Sequence, residues 1–197
     1  MSNKTPLTCL LIALLLGACT RPAPTTSETA EYLDEATGTR VVHLNEPAVF
    51  FRDAPMLAVH ARDYVSLAPM ELSQAGRRDY LLWVWQWSTI DRGVQTAEVS
   101  RMVLLLDGEP MELRAGRPRT LGQWPYAAPV NGGRMALYTL TPSQLAGLAR
   151  AEEIHVFIES SDTTGDYQPW RADRAELGQF AQGVAARQAA AMARVND

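Results

Sequence analysis

Cysteine is almost missing from this chain: Cys9 and Cys19 are the two in 197 residues. Both lie near the start, so nothing beyond residue 19 can form a disulfide, a redox couple or a thiolate metal site. Packing alone must hold the folded part together. Lysine is scarcer still. Lys4 is the single one, and the remaining 17 of 18 basic residues are arginine, set against 22 acidic residues. The net charge of −4 becomes −5 once Lys4 is removed with a leader. Nucleic acid wants a concentrated basic face, so no nucleic-acid partner is expected. Long apolar runs are missing too. Leu7 to Leu16 is the longest near the start, and about 10 residues fall well short of the roughly 20 that span a bilayer core.

Catalytic signatures are equally sparse. The three histidines, His43, His60 and His155, have no metal-ligand spacing, and there is no His-Glu-x-x-His. No serine stands in Gly-x-Ser-x-Gly. Asp162-Thr163-Thr164-Gly165-Asp166 lacks the third acidic ligand and distal glutamate of a calcium loop. Gly132-Gly133 lacks the strand-to-helix setting of a phosphate cradle. The expectation is therefore no metal, no cofactor and no named catalytic residue. A Ser/His/Asp set assembled by folding leaves no sequence signature, so enzyme activity stays open while leaning towards no.

What is there begins with the leader. Lys4 and the α-amino group precede the apolar run, and the small residues Gly17 and Ala18 precede Cys19, which is the plan of a secretory signal. Leu16-Gly17-Ala18-Cys19 resembles the lipobox of bacterial lipoproteins at all four positions. That resemblance implies diacylglycerol on the Cys19 sulfur, cleavage before it and acylation of the new amino terminus, with palmitate as a typical chain. Each buried methylene would contribute about 0.8 kcal/mol, and two or more chains hold durably where one does not. Thr20 stands where an aspartate would, by resemblance to enterobacterial lipoproteins, favour the inner membrane. The outer membrane, periplasmic face, is the expected address. Residues 1–18 then form a signal peptide, 19–30 a lipidated tether and 31–197 one periplasmic domain. Thr20 to Thr29 has two prolines and no large apolar residue, too little to offset ordering entropy.

Along the domain, Thr39–Leu44 and Ala48–Arg52 read as β-branched and aromatic strands. Asp63–Gln74 and Asp79–Ile90 read as a hairpin. Pro69 in the first of these marks an edge or a bulge. In the second, Leu81, Trp83, Trp85 and Trp87 share one face at period two, and Tyr80, Leu82, Val84, Gln86 and Ser88 share the other. Ala97–Leu106 is a further strand, and Asp107-Gly108 turns it back into residues 109–113. Residues 115–133 hold four glycines and three prolines around Trp124-Pro125-Tyr126. A loop this long is often functional. Arg134–Leu140 is a strand. Thr141, Pro142 and Gln144 then form a helix start with a capping box. Ile154–Glu159 is a strand, and Tyr167–Trp170 a short extended piece. Asp173-Arg174-Ala175-Glu176 opens a last helix with an apolar stripe at Leu177, Phe180, Ala181 and Val184.

The order predicts an α+β fold, mainly an antiparallel sheet or sandwich, with a short helix near 142–150 and a C-terminal helix near 174–193. The run Leu140–Leu145, Ala149–Glu153 and Ile154–Ile158 with its closing helix resembles a pattern in uncharacterised proteobacterial envelope lipoproteins, over about the last 60 residues. That resemblance implies no activity. The residues singled out are Cys19 for lipidation and Trp87, Trp124 and Tyr126 as a binding surface, since aromatics and arginines dominate interface hot spots. The expected partners are the membrane, through lipid on Cys19, and an envelope protein or glycan. The expected role is binding or structural, in envelope assembly or maintenance. The rival readings are a periplasmic enzyme acting on envelope polymers and a carrier of a small hydrophobic ligand.

Overall fold

The computed structural model describes residues 29–55, 58–90, 99–116, 120–160, 164–171 and 174–195. The signal segment, the lipobox, Cys19 and most of the tether lie outside the described residues, as do Asp162, Thr163 and Asp173. The strands are β1 (Thr29–Asp34), β2 (Thr39–Leu44), β3 (Ala48–Asp53), β4 (Arg62–Gln74), β5 (Arg77–Ser88), β6 (Val99–Leu106), β7 (Glu109–Glu112), β8 (Arg114–Ala115), β9 (Arg134–Leu140), β10 (Ile154–Ser160) and β11 (Thr164–Arg171). The helices among the described residues are α1 (Pro142–Arg150) and α2 (Arg174–Val195). The fold is thus mainly antiparallel sheet with one short and one C-terminal helix, as the sequence order predicts.

The sheet runs β7-β6-β10-β11-β3-β4-β5-β9-β8. Its two end strands are neighbours in the chain, joined only by Leu113, whose N–H bonds Met102 O at 3.1 Å. The path therefore almost closes on itself. The result is a barrel-like sheet rather than an open sheet or a sandwich. Local chemistry fixes the turns. Ala75 and Gly76 (φ 49° and 81°) and Asp107 and Gly108 (φ 52° and 83°) have the paired positive φ of tight hairpins. Thr141 accepts from the Gln144 N–H, and the Gln144 side chain accepts from the Thr141 N–H, closing the capping box of α1.

β4 and β5 form the spine, paired along their length from Asp63↔Ser88 to Gln74↔Arg77. The far edge of β4 is shared. β3 takes Arg62–Leu67 and β2 takes Met70–Ser73. Between the two pairings the partner side spends Leu44 to Pro47 where β4 spends Ala68 and Pro69. This is a bulge, and the missing N–H of Pro69 falls in its gap.

The two faces of the spine are both covered. Inside, Val65, Leu67, Leu82 and Val84 join Phe50, Leu104 and Val156 in one buried cluster with Leu145 and Leu148 of α1 and Leu177, Phe180 and Val184 of α2. Polar contacts seat α2 as well. Arg187 donates to the buried Glu71 at 2.8 Å, and Gln188 donates to the Tyr80 hydroxyl at 2.6 Å. Outside, Val41, Ala68, Met70, Leu72, Leu81 and Trp83 form a second cluster under Leu121, Trp124 and Tyr126 of the long loop.

One expectation shifts. Residues 29 and 30 are expected in the tether, yet β1 begins at Thr29 and pairs with β2 from Thr29↔Leu44 to Asp34↔Thr39.

Candidate functional site: the aromatic outer face

The outer face of β4 and β5 carries two groups of rings. The first lies beneath the 120–126 loop. Trp83 and Trp85 stack at 5.8 Å, and Tyr126 tilts onto Trp83 at 5.2 Å. His43 sits between Tyr32 (5.9 Å) and Tyr126 (5.4 Å), edge-on to both. A loop over a sheet has no ladder to satisfy its backbone, so side chains must do it. Tyr32 donates its hydroxyl to Gln123 O at 2.6 Å, and the Gly122 N–H donates to Asp34 Oδ2 at 2.9 Å. Tyr126 donates to Leu44 O at 3.0 Å, and the same oxygen lies 2.5 Å from His43 Nδ1.

Glycine is required at two contacts here. A Cβ on Gly122 would stand 2.8 Å from Asp34 Oδ1. One on Gly133 would stand 2.6 Å from both Gln86 O and Trp85 Nε1. Electrostatics follow from the same bonds. The Thr37 hydroxyl and the Gly122 N–H hold the Asp34 carboxyl below its ordinary pKa. Burial pushes the Tyr126 phenol far above its ordinary value. Beside this cluster a groove of ≈ 660 Å³ runs past Glu31–Ala36, His43, Gly122, Gln123 and Pro125.

The second group is half-buried, with Trp170 at its open edge. Trp87 stacks on Tyr64 at 5.2 Å with 12° between the planes. Trp170 meets Phe51 at 5.0 Å and Tyr64 at 5.6 Å, edge to face. The Arg62 guanidinium stands 4.9 Å from the ring centres of both Phe51 and Trp170, and its Nε donates to Asp53 at 2.9 Å. Trp170 is 47% exposed. Between the groups, Ser66 and Trp85 are direct cross-strand partners. Ser66 Oγ and Trp85 Nε1 are buried without a hydrogen bond among the described residues.

Of the aromatic residues singled out from sequence, the structure brings Trp124 and Tyr126 together over Trp83 and sets Trp87 in the other group. Phe51, Arg62, Tyr64 and Trp170 were not foreseen as site residues. Phe50-Phe51 next to a charged residue was the one available hint. His43 and His155 lie on strands that are not neighbours. His155 instead bridges Glu153 (3.0 Å) and Asp166 (3.3 Å) on the outside of β10. Among the described residues no group of three or more His, Cys, Asp or Glu side chains is placed to hold a metal ion.

No protein-family model, no curated protein and no solved structure matches the chain. What the geometry defines is an antiparallel barrel-like domain with an aromatic, arginine-bearing outer face.

Proposed function

We propose that this chain is a lipid-anchored envelope lipoprotein, held through Cys19 at the periplasmic face of the outer membrane, with a binding or structural role in envelope assembly or maintenance. The observation that carries the reading is Leu16-Gly17-Ala18-Cys19 directly behind an apolar run too short to span a bilayer. Among the described residues no helix is long and apolar enough to cross a membrane, so lipid is the means of attachment the reading offers.

Binding is favoured over catalysis by the outer face. Phe51, Tyr64, Trp87 and Trp170 with Arg62 supply the ring and guanidinium chemistry that dominates interface hot spots. The space between sheet and α2 is filled by Leu177, Phe180 and Val184, which weighs against a hydrophobic-ligand carrier.

The test is the mass of the N-terminal peptide from protein extracted from native membranes. The expected peptide begins at Cys19 and carries diacylglycerol and an N-acyl chain. A mature chain starting elsewhere, or a free thiol on Cys19, would overturn the anchor.

A further inference from the structure

We propose that the corner of the sheet carrying Trp170 docks on the bilayer that holds the Cys19 lipid, a second membrane contact beside the acyl chains. The inference rests on the anchor in the proposed function. It gives the outer aromatic face a partner, a lipid surface.

Register sets where the tether joins the domain. β4 runs from Arg62 to Gln74, and Met70 lies opposite His43 of β2. Thr29 lies opposite Leu44, the next residue of β2, so β1 starts level with the middle of β4. From there β1 runs to Asp34, opposite Thr39 and beside the end of β4 that bears Gln74. Thr29 is therefore the end of β1 that points towards Arg62 and away from the β4–β5 turn. Cys19 precedes Thr29 by ten residues, and a chain of that length reaches at most about 35 Å. From Met70 back to Arg62 is eight residues along β4, about 26 Å at ~3.3 Å each. The anchor thus reaches past the Arg62 end of the sheet.

That end is also where apolar side chains stand in water. Val59, 85% exposed, sits in the turn that the Ala54 N–H closes on Ala61 O, just before β4. Ile90, 52% exposed, follows Thr89, whose N–H and hydroxyl both donate to Arg62 O. Trp170 lies against the Arg62 guanidinium, with Phe51 and Tyr64 beside it. Three separate segments thus bring a large apolar side chain to one corner. The other end of the spine is different. Gln74, Arg77 and Arg78 are exposed there, and no large apolar residue stands among them.

The chemistry of the corner suits lipid. Tryptophan and tyrosine gather at membrane–water interfaces, because an apolar ring with a polar edge fits the headgroup level. Val59 and Ile90 offer a glycan neither a hydrogen bond nor a stacking face, whereas hydrocarbon receives them without a preformed pocket. Arg62, paired with Asp53, lays its stem along the rings and keeps its head at the polar level. The bilayer is also the surface that the anchor keeps beside the domain. Docking is then intramolecular, so a shallow contact suffices.

The test uses the mature chain from native membranes, reconstituted in vesicles of phosphatidylethanolamine and phosphatidylglycerol, with and without lipids brominated on the acyl chain. No cysteine follows Cys19, so a thiol-reactive dye marks a single cysteine placed at Val59 or at Arg77. Brominated lipid is expected to quench the Val59→Cys dye at least threefold more than the Arg77→Cys dye. Trp170→Ser and Ile90→Ser, made separately beside each reporter so that one poorly folding variant does not decide the matter, should each cut that ratio at least by half. Val130→Ser, an exposed apolar residue elsewhere, should leave it unchanged. The parent chain checks the anchor apart from the docking, because a lipid-bearing Cys19 takes up no dye. A parent that labels at Cys19 overturns the anchor and the docking with it. A parent that does not label overturns the docking alone if the two dyes are quenched equally, if the Arg77→Cys dye is quenched more, or if neither serine variant changes the ratio.

Discussion

The inner and outer faces of β4 and β5 are buried by different means. Inside, mostly aliphatic side chains, with Phe50 and Phe180, close against two helices whose backbones satisfy themselves. Polar groups there are few and paired: Asp63 with Arg52 at 2.7 Å, and Glu71 and Tyr80 with Arg187 and Gln188 of α2. Outside, the cover is the irregular segment around Leu121, Trp124 and Tyr126. It must be fastened by side chains that are part ring and part polar group: Tyr32, His43, Tyr126 and Asp34. The difference teaches why the tryptophans gather outside. A phenol or indole covers apolar surface as aliphatic groups do, yet still offers a hydrogen bond to an exposed backbone.

The sharpest way to break this comparison is to hollow out each face in turn. Phe180, 1% exposed, is enclosed by helix and sheet. Phe180→Ala should cost about 4 kcal/mol, within the ~3–5 kcal/mol typical of such truncations. Trp83, 3% exposed, lies under the loop. Trp83→Ala should cost about 3 kcal/mol or less, because a loop can settle into the space and the cost tracks the cavity that remains. Urea unfolding of the two variants checks the order. Equal or reversed losses would mean that the loop is as stiff a cover as the helices.

Much of the inner face was legible in the sequence because its signals are local. The alternation from Tyr80 to Ser88, the Asp107-Gly108 turn, the Thr141–Gln144 box and the stripe at Leu177, Phe180 and Val184 each need fewer than a dozen residues to read. The barrel closure was not legible. It depends on β7 and β8 lying at opposite ends of the path while only Leu113 separates them in the chain, and strand order is set by non-local pairing. β1 escaped because an edge strand need not alternate cleanly: Glu31 and Leu33 face water, and Tyr32 alone is not a pattern. The candidate site was half legible for the same reason. Trp83, Trp85 and Trp87 announce one face of one strand. Phe51, Arg62 and Trp170 join Tyr64 and Trp87 only because β11, β3, β4 and β5 are adjacent. Tyr126 meets Leu44 across 82 positions, a contact no spacing rule supplies.

A smaller effect sharpens the account of the outer face. Tyr126→Phe keeps the ring on Trp83 and removes only the hydroxyl that donates to Leu44 O. The net loss should be about 1 kcal/mol, the usual worth of one hydrogen bond. His43 Nδ1 still faces the same carbonyl, which keeps that oxygen from being left bare. Because the phenol stays protonated throughout, the loss read from urea midpoints should be the same at pH 6 and pH 8. A loss that differed between the two pH values would mean that the hydroxyl is coupled to another group that titrates in that range, and not only to the Leu44 carbonyl.

His155 gives the smallest effect and the opposite pH behaviour. It lies on the outside of β10, where the hydrogen bonds it donates to Glu153 and then Asp166 raise its pKa above the ordinary histidine value. The proton is therefore held more tightly in the folded chain than in the unfolded one. Its contribution is present in full below about pH 6.5, the unfolded value, and is lost as pH rises through the higher folded value. The ring is 28% exposed and both carboxylates are more so, so screening by water and salt keeps the contribution to roughly 0.5 kcal/mol or less. His155→Gln should lower stability at pH 6 and leave it nearly unchanged at pH 8. The pH 6 deficit should shrink in about 0.5 M salt, where the screening length falls to a few ångströms, while the Tyr126→Phe loss persists. The same deficit at both pH values would show that His155 acts by packing on β10, and the outer surface there would then be held as the inner one is, by shape.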